Sequence, residues 1–549
     1  MSITAKKPQQ LLEPTQLTAR KKRFMTASRE RGASSPASPR RKHFAEAFCR
    51  HYARRPYWER YARSLAFALE QEPVYLFPDE QLVGMLYQIS PQPALSPKAD
   101  AELARYDTYH MTVERLPAGT DPVIAGPGAF GHIGWRWEIL LEEGIEGLIV
   151  RLRELLAGAR TRQAKRLYKG AMLLWKAVLR WNQAHVIALR KGASQVSGSE
   201  RKRLEELIAV CERVPRSPAR TFHEALQCFH FQHLAVMFEN PYGGNGPGRI
   251  DQLLWPYLEA DLKAGRITWQ EARDLVDEVL VRFHERLQPG DGWVEAVTVG
   301  GTDAEGASAV NPLSHLIIES IIELRQTHPS VYVRLPETED EAFLDLSVRY
   351  LLEGENRAQL YSDRACVAAI QASGVPRSDA VDYMAGGCME ISVQGRASDF
   401  NFTRVYNVAK RLELVLTGGV DLLSGERRLD LSRNLTGYTS FEELYAAFGQ
   451  VVQGDLAQMG AALDIHTELA ARYRPCYLLS SLVDDCLGGG LEQQEGGARY
   501  HDYGFAPLGI ATVADALAGL RTALFEEGFA TAEELLAALR SNFEGHEEL

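Results

Sequence analysis

From about residue 240 onward, stretches with a helical apolar period take turns with short β-like runs, and that alternation limits what the chain can fold into. Val294–Val299 leads into Gly300-Gly301. Val331-Tyr332-Val333-Arg334-Leu335 alternates as a strand does, and 341–353 and 402–417 read as helices. Helices and strands taking turns over several hundred residues predict an α/β barrel or a layered sheet. Ahead of this, from about Phe44 to Asn240, the pattern is mostly helical. Leu141, Ile145, Leu148, Leu152, Leu155 and Leu156 recur on one face, and 164–192 and 221–239 are helical in composition. Near the end, Thr531 with Glu534 predicts a capping box.

Residues 1–42 are polar and basic: Arg20-Lys21-Lys22-Arg23 and Arg40-Arg41-Lys42 flank a Ser/Pro/Gly stretch. Such a stretch reads as a nucleic-acid or targeting arm or as a solvated, partly disordered tail, and the tail is the reading adopted. The whole chain carries a net charge of −11, which argues against a general nucleic-acid binder. No apolar run is long enough to span a bilayer, and the N-terminus has no secretory apolar core, so no membrane partner is expected. The seven cysteines form no CxxC pair, so no metal centre is expected, and their odd number fits a reducing cytoplasm. Gly243-Gly244-Asn245-Gly246-Pro247-Gly248 lacks the Lys-Ser/Thr ending of a phosphate-binding loop and is read as a chain break.

The most informative segment is Met384-Ala385-Gly386-Gly387-Cys388-Met389-Glu390-Ile391-Ser392. Two glycines allow a tight turn and close approach to other groups. In extended chain, residues i and i+2 point to the same side, so the Cys388 thiol and Glu390 carboxylate can face one substrate. Taken alone, Gly-Cys-x-Glu is equally compatible with a small buried hydrophobe.

The loop resembles the cysteine loop of the glycyl radical enzymes, the pyruvate formate-lyase-like superfamily. Other segments are similar to that family and keep its order from about Leu17 to the last residue. They are Gly131-His132, Thr221–Gln227, Pro247–Gln252, Val299–Asp303, Pro329–Val331, Asn407–Lys410, Ser481–Cys486, Glu495–Tyr500 and Ala511–Leu517. The resemblance implies an α/β barrel of two half-sheets surrounded by helices, filling 43–549 as one catalytic domain, with the cysteine loop inside. It implies that Cys388 becomes a thiyl radical and that Glu390 is its partner base. Cys388 has Gly387 and Met389 as neighbours rather than a second cysteine, so the acyl transfer of pyruvate formate-lyase itself is not implied. The Cys-x-Glu pattern resembles the branches that cleave C–X or C–C bonds in small organic substrates. An arylacetate-type radical decarboxylase and a catalytically silent binding paralogue are the alternatives.

Aligned on Asn407, polyol dehydratases carry an acidic substrate ligand where this chain has Phe402, so Phe402 is expected at the substrate and glycerol or propanediol is disfavoured. His132 is a substrate contact or a satisfied histidine; Trp135 and Trp137 are substrate-side or packing aromatics. Arg499 is expected to lock a loop through bidentate bonding. The family's radical glycine lies in an Arg-Val-x-Gly-aromatic motif near the C-terminus. Nothing here matches it, and Gly545 lacks the flanking residues. The implied cofactor is therefore not a bound one. It is a protein-based glycyl radical from another segment or chain, installed by a radical-SAM activase. The expected partners are that activase, possibly a separate radical-glycine protein, and a second copy in a homodimer.

Overall fold

A computed structural model describes residues 15–34, 38–85, 94–118, 131–240, 245–285, 295–326, 328–338, 340–353, 358–387, 389–399, 404–501 and 503–549. The chain divides into two compact units. One comprises Met1–Asp107, Phe130–Asn401 and Glu468–Asp502; the other comprises Thr108–Ala129, Phe402–Thr467 and Tyr503–Leu549. Each unit is assembled from separated stretches, so no linker composition marks a boundary.

In the first unit, β1 (Gly248–Arg249), β2 (Ala296–Gly300), β3 (Ser330–Leu335) and β4 (Gln359–Ser362) form a parallel sheet in that order. Parallel pairing requires long crossovers. Helices Ile250–Lys263 and Trp269–Glu285 connect β1 to β2, Pro312–Leu324 connects β2 to β3, and Glu341–Glu353 connects β3 to β4. The period of two sorts the side chains. Val297, Val299, Val331 and Val333 join the large core built with the helices, while Ala296 and Tyr332 cluster with Ala385 on the other face. Ala385 belongs to an antiparallel hairpin, β5 (Tyr383–Gly386) and β6 (Glu390–Val393).

The expected helices are present as Arg162–Ala193 and Phe222–Glu239. The second is buried on every side, which its polar residues tolerate because they are partnered. Gln227 bonds both backbone groups of Val83, and Glu239 accepts from the N–H groups of Leu478 and Leu479. The leucine face after residue 138 forms the helix Glu138–Gly158, which kinks at Gly144, where φ is 67° and a Cβ would lie 2.5 Å from the Arg216 carbonyl oxygen.

Within the stretch 1–42 read as a solvated tail, the described residues form helix Ala19–Ser34, while 1–14 and 35–37 lie outside the described residues. Leu17 and Phe24 are buried, Lys21 is fully buried in an ion pair with Glu278, and Arg23 pairs with Asp79 at 3.0 Å. The basic run finds acidic partners far away in sequence, which composition alone does not reveal.

In the second unit, β7 (Arg404–Asn407) pairs in parallel with β8 (Phe505–Leu508). The helix expected over 402–417 is corrected to this strand followed by helix Val408–Thr417, because Asn407 caps the helix by accepting from the Lys410 N–H at 3.0 Å. Leu412, Val415, Leu416, Val513, Leu517 and Leu536 form the unit's core. The Thr531–Glu534 capping box is present. Among the described residues, backbone hydrogen bonds join the four-stranded half-sheet and two strand pairs rather than a closed ring.

Candidate active site

The hairpin register pairs Gly386 with Glu390, so Gly387, Cys388 and Met389 form the connection. Cys388 itself lies outside the described residues, as do Phe402 and the Gly243-Gly244 pair. The surroundings of Gly386 and Gly387 explain why two glycines precede Cys388. A Cβ on Gly386 would lie 2.1 Å from the His132 carbonyl oxygen; one on Gly387, where φ is 53°, would lie 2.1 Å from His132 Nδ1. Both glycines make room for one histidine.

His132 is held in a left-handed backbone conformation (φ 63°) by a segment pinned along its length. Gly131 N–H donates to Asp399 O, Gly246 N–H to Ile133 O, Gly395 N–H to Gly134 O, and Arg136 N–H to Leu482 O, all within 3.0 Å. The result is a contact between two residues 258 apart in sequence: His132 Nδ1 and Glu390 Oε2 are 2.7 Å apart. Met389 N–H also donates to Glu390 Oε2, at 3.1 Å. The His132 and Glu390 side chains are 10% and 14% exposed, whereas Met389 beside them is 62% exposed. Burial alone would raise the Glu390 pKa. The hydrogen bond and charge of His132, with the Met389 N–H, outweigh it and leave the carboxyl below its ordinary 4.5. A carboxylate kept ionised at the edge of a hairpin is chemically a proton acceptor.

The far end of the hairpin is fixed by ionic bonds. Arg396 reaches Asp382 at 3.0 Å and Asp484 at 3.5 Å, and Arg136 reaches Asp484 at 3.4 Å. Arg499 forks onto Asp485 (2.8 and 3.2 Å) and also reaches Asp379 at 2.9 Å, the loop lock expected of it. Trp135 and Trp137 are packing residues. Both are fully buried, with ring centroids 4.4 Å apart, and Trp137 lies 4.2 Å from Phe229. They give no support to an aromatic substrate. Among the described residues, no group of three His, Cys, Asp or Glu is placed to hold a metal. Among the described residues, no helix is long and apolar enough to cross a membrane.

Sequence reasoning missed Tyr332, whose hydroxyl donates to the Gly387 carbonyl at 2.7 Å. The strand period was the available signal, because it sets Tyr332 on the face opposite Val331 and Val333.

The model of the family described as pyruvate formate lyase-like matches residues 126–549. The (2S)-3-sulfopropanediol dehydratase of Klebsiella oxytoca is 28% identical over 436 residues, covering 76% of this chain and 53% of that protein. The trans-4-hydroxy-L-proline dehydratase of Clostridioides difficile is 28% identical over 379 residues, covering 66% and 47%. The chain thus spans about half the length of the curated relatives it matches. The glycerol-bound B12-independent glycerol dehydratase of Clostridium butyricum superposes with a TM-score of 0.88 at 22% identity, covering 98% of this chain and 75% of that one. Hydroxyproline dehydratase from Clostridioides difficile with its substrate bound superposes with a TM-score of 0.89 at 20% identity, again covering 98% and 75%. The half-sheet with its inserted hairpin is therefore part of the α/β barrel expected from the sequence, and the chain belongs to the pyruvate formate lyase-like family, the glycyl radical enzymes that its cysteine loop resembles.

Proposed function

We propose that the chain is the catalytic body of a radical lyase that cleaves a C–X or C–C bond in a small hydroxylated substrate. The observation that carries this reading is the His132–Glu390 pair at 2.7 Å, two residues from Cys388 in the hairpin connection. When present, a glycyl radical installed by a radical-SAM activase supplies the unpaired electron that makes hydrogen abstraction possible. The residues fit such a group: the glycine turn exposes Met389 at the tip, leaving that side open to an approaching segment.

Cys388 is the thiol that meets the substrate carbon, because an S–H bond is weak enough to exchange hydrogen with an activated C–H bond in both directions. Once that carbon has given its hydrogen atom to sulfur, Glu390 accepts the proton of the hydroxyl it carries, the electron pair left on oxygen forms the C=O bond, the group on the adjacent carbon departs with its bonding pair, and the unpaired electron passes to that adjacent carbon, which takes the hydrogen atom back from Cys388. His132 holds Glu390 ionised and oriented for that transfer. The pinned segment 131–136 and the two glycines set their geometry before substrate arrives. We further propose that the radical comes from a segment or separate chain with the radical-glycine motif, and that the protein works in the cytoplasm, as a homodimer.

The test is Cys388→Ser. Reconstituted anaerobically with an activase, S-adenosylmethionine, reductant and a radical-glycine chain, it should lose all turnover against glycerol, 1,2-propanediol, isethionate and hydroxyproline. Its melting curve should match that of the parent. Turnover retained by Cys388→Ser would end this reading.

A further inference from the structure

Of the sheet side chains that bond the hairpin, Arg334 holds the Tyr383 carbonyl at its start, and two more act nearer the connection. Ala385 N–H donates to Thr298 Oγ1 on β2 at 3.3 Å, and the Tyr332 hydroxyl on β3 donates to the Gly387 carbonyl at 2.7 Å. The two bonds act at different places. Ala385 lies inside the paired part of β5. Gly387 lies beyond the last pair, and its carbonyl belongs to the peptide group whose nitrogen is that of Cys388.

A rotation of that peptide would carry the cysteine Cα with it. Glycine at φ 53° does not resist such a rotation sterically, so the restraint must come from outside. One side is supplied by His132, whose ring crowds the Gly387 Cα. The other is supplied by Tyr332, which is itself fixed. Its side chain is buried, and its ring meets that of Tyr361 edge-to-face at 5.7 Å. A tyrosine that merely filled the core would satisfy its hydroxyl on any nearby acceptor. This one reaches a hairpin carbonyl 55 residues away, immediately before the cysteine.

We propose that Tyr332 is a positioning residue that holds the Gly387 carbonyl and so restrains the peptide leading into Cys388. This rests on the reading of Cys388 as the reactive group, but its structural half is testable without any radical.

The experiment is Tyr332→Phe in the 549-residue chain, which keeps the ring and removes only the hydroxyl. Alkylation by iodoacetamide is followed peptide by peptide in the native protein, with the half-buried Cys49 and Cys366 as internal references. Cys388 should react roughly three- to tenfold faster, the Boltzmann factor of one neutral hydrogen bond, while both references keep their rates. In the reconstituted enzyme, kcat should fall by a similar factor with KM unchanged. An unaltered Cys388 rate would overturn the proposal. So would a common acceleration of all three thiols, which would mean general loosening. If Cys388 responds as expected but Cys388→Ser still turns over, the clamp stands and the functional reading falls.

Discussion

In the first unit, two carboxylates each meet a nitrogen base at hydrogen-bond distance, and the two pairs differ in how far they are closed. Arg334 on β3 forks onto Asp363 at 2.9 and 2.8 Å and donates to the Tyr383 carbonyl at 2.8 Å. Asp363 also accepts from the Tyr383 hydroxyl at 2.7 Å and the Thr302 N–H at 2.6 Å, and both side chains are 0% exposed. Nothing can reach this pair without breaking it. His132 and Glu390 meet at 2.7 Å but stay 10% and 14% exposed beside a tip that is open. Buried charge that is fully coordinated holds strands together, whereas buried charge left at a rim retains the capacity to exchange a proton. The two pairs share the hairpin: Arg334 binds the start of β5, at Tyr383, and Glu390 begins β6.

The widest separation between the pairs should come from Glu390→Gln. It keeps the shape of the rim and removes the proton acceptor, so turnover should fall by roughly two to four orders of magnitude while the urea midpoint barely moves. A loss of substrate affinity at an unchanged rate per bound substrate would make Glu390 a binding residue. Arg334→Met should do the reverse. Stripping one partner from a closed buried pair costs about 3–5 kcal/mol of stability, read from urea unfolding. If Arg334→Met lost activity but kept its stability, the division between architecture and chemistry would collapse.

Gly387→Ala tests the hinge between them. It forces alanine into a left-handed conformation, at about 1–3 kcal/mol, and pushes a methyl group into His132 Nδ1. The urea midpoint should drop accordingly, and the Glu390 pKa should rise as its histidine partner is displaced. Unchanged values of both would show that the tip relaxes freely.

Local signals were legible where they were self-contained. The alternation in 331–335, the helix 341–353 and the Thr531 cap depend on neighbours in sequence, and the structure has them. The Gly-Gly pair announced a close approach, but not that His132 was the group approaching, since that contact spans 258 residues. Phe44 to Asn240 read correctly as helical, yet the basic run before it was misread, because Glu278 and Asp79 lie on other elements. At 402–417 a strand was absorbed into the helix that follows it, since Val405 and Tyr406 suit either period until the Asn407 cap is recognised. Tyr332 was passed over because a tyrosine in a strand is ordinary, and only the hairpin laid against it gives its hydroxyl a role.

The smallest effect expected is the dependence of stability on acid. The folded-state pKa of Glu390 lies below 4.5, because His132 and the Met389 N–H outweigh burial. A depressed carboxyl binds its proton less readily in the folded state than in the unfolded one. Its contribution to stability is therefore fully present above the unfolded value and is lost as pH falls through the folded value. Asp363 follows the same rule from 3.8 downward: burial opposes its charge, but Arg334 outweighs it. Asp363 is common to the wild type and Glu390→Gln, so it cancels when their urea midpoints are compared from about pH 7 to about pH 3. The difference between the two proteins should shrink as pH falls below about 4.5. A difference that widened on acidification would mean that burial wins at Glu390. The rim pair would then be a protonated carboxyl sharing a hydrogen bond with His132, unsuited to accept a hydroxyl proton, and the distinction between the two pairs would have to be drawn the other way.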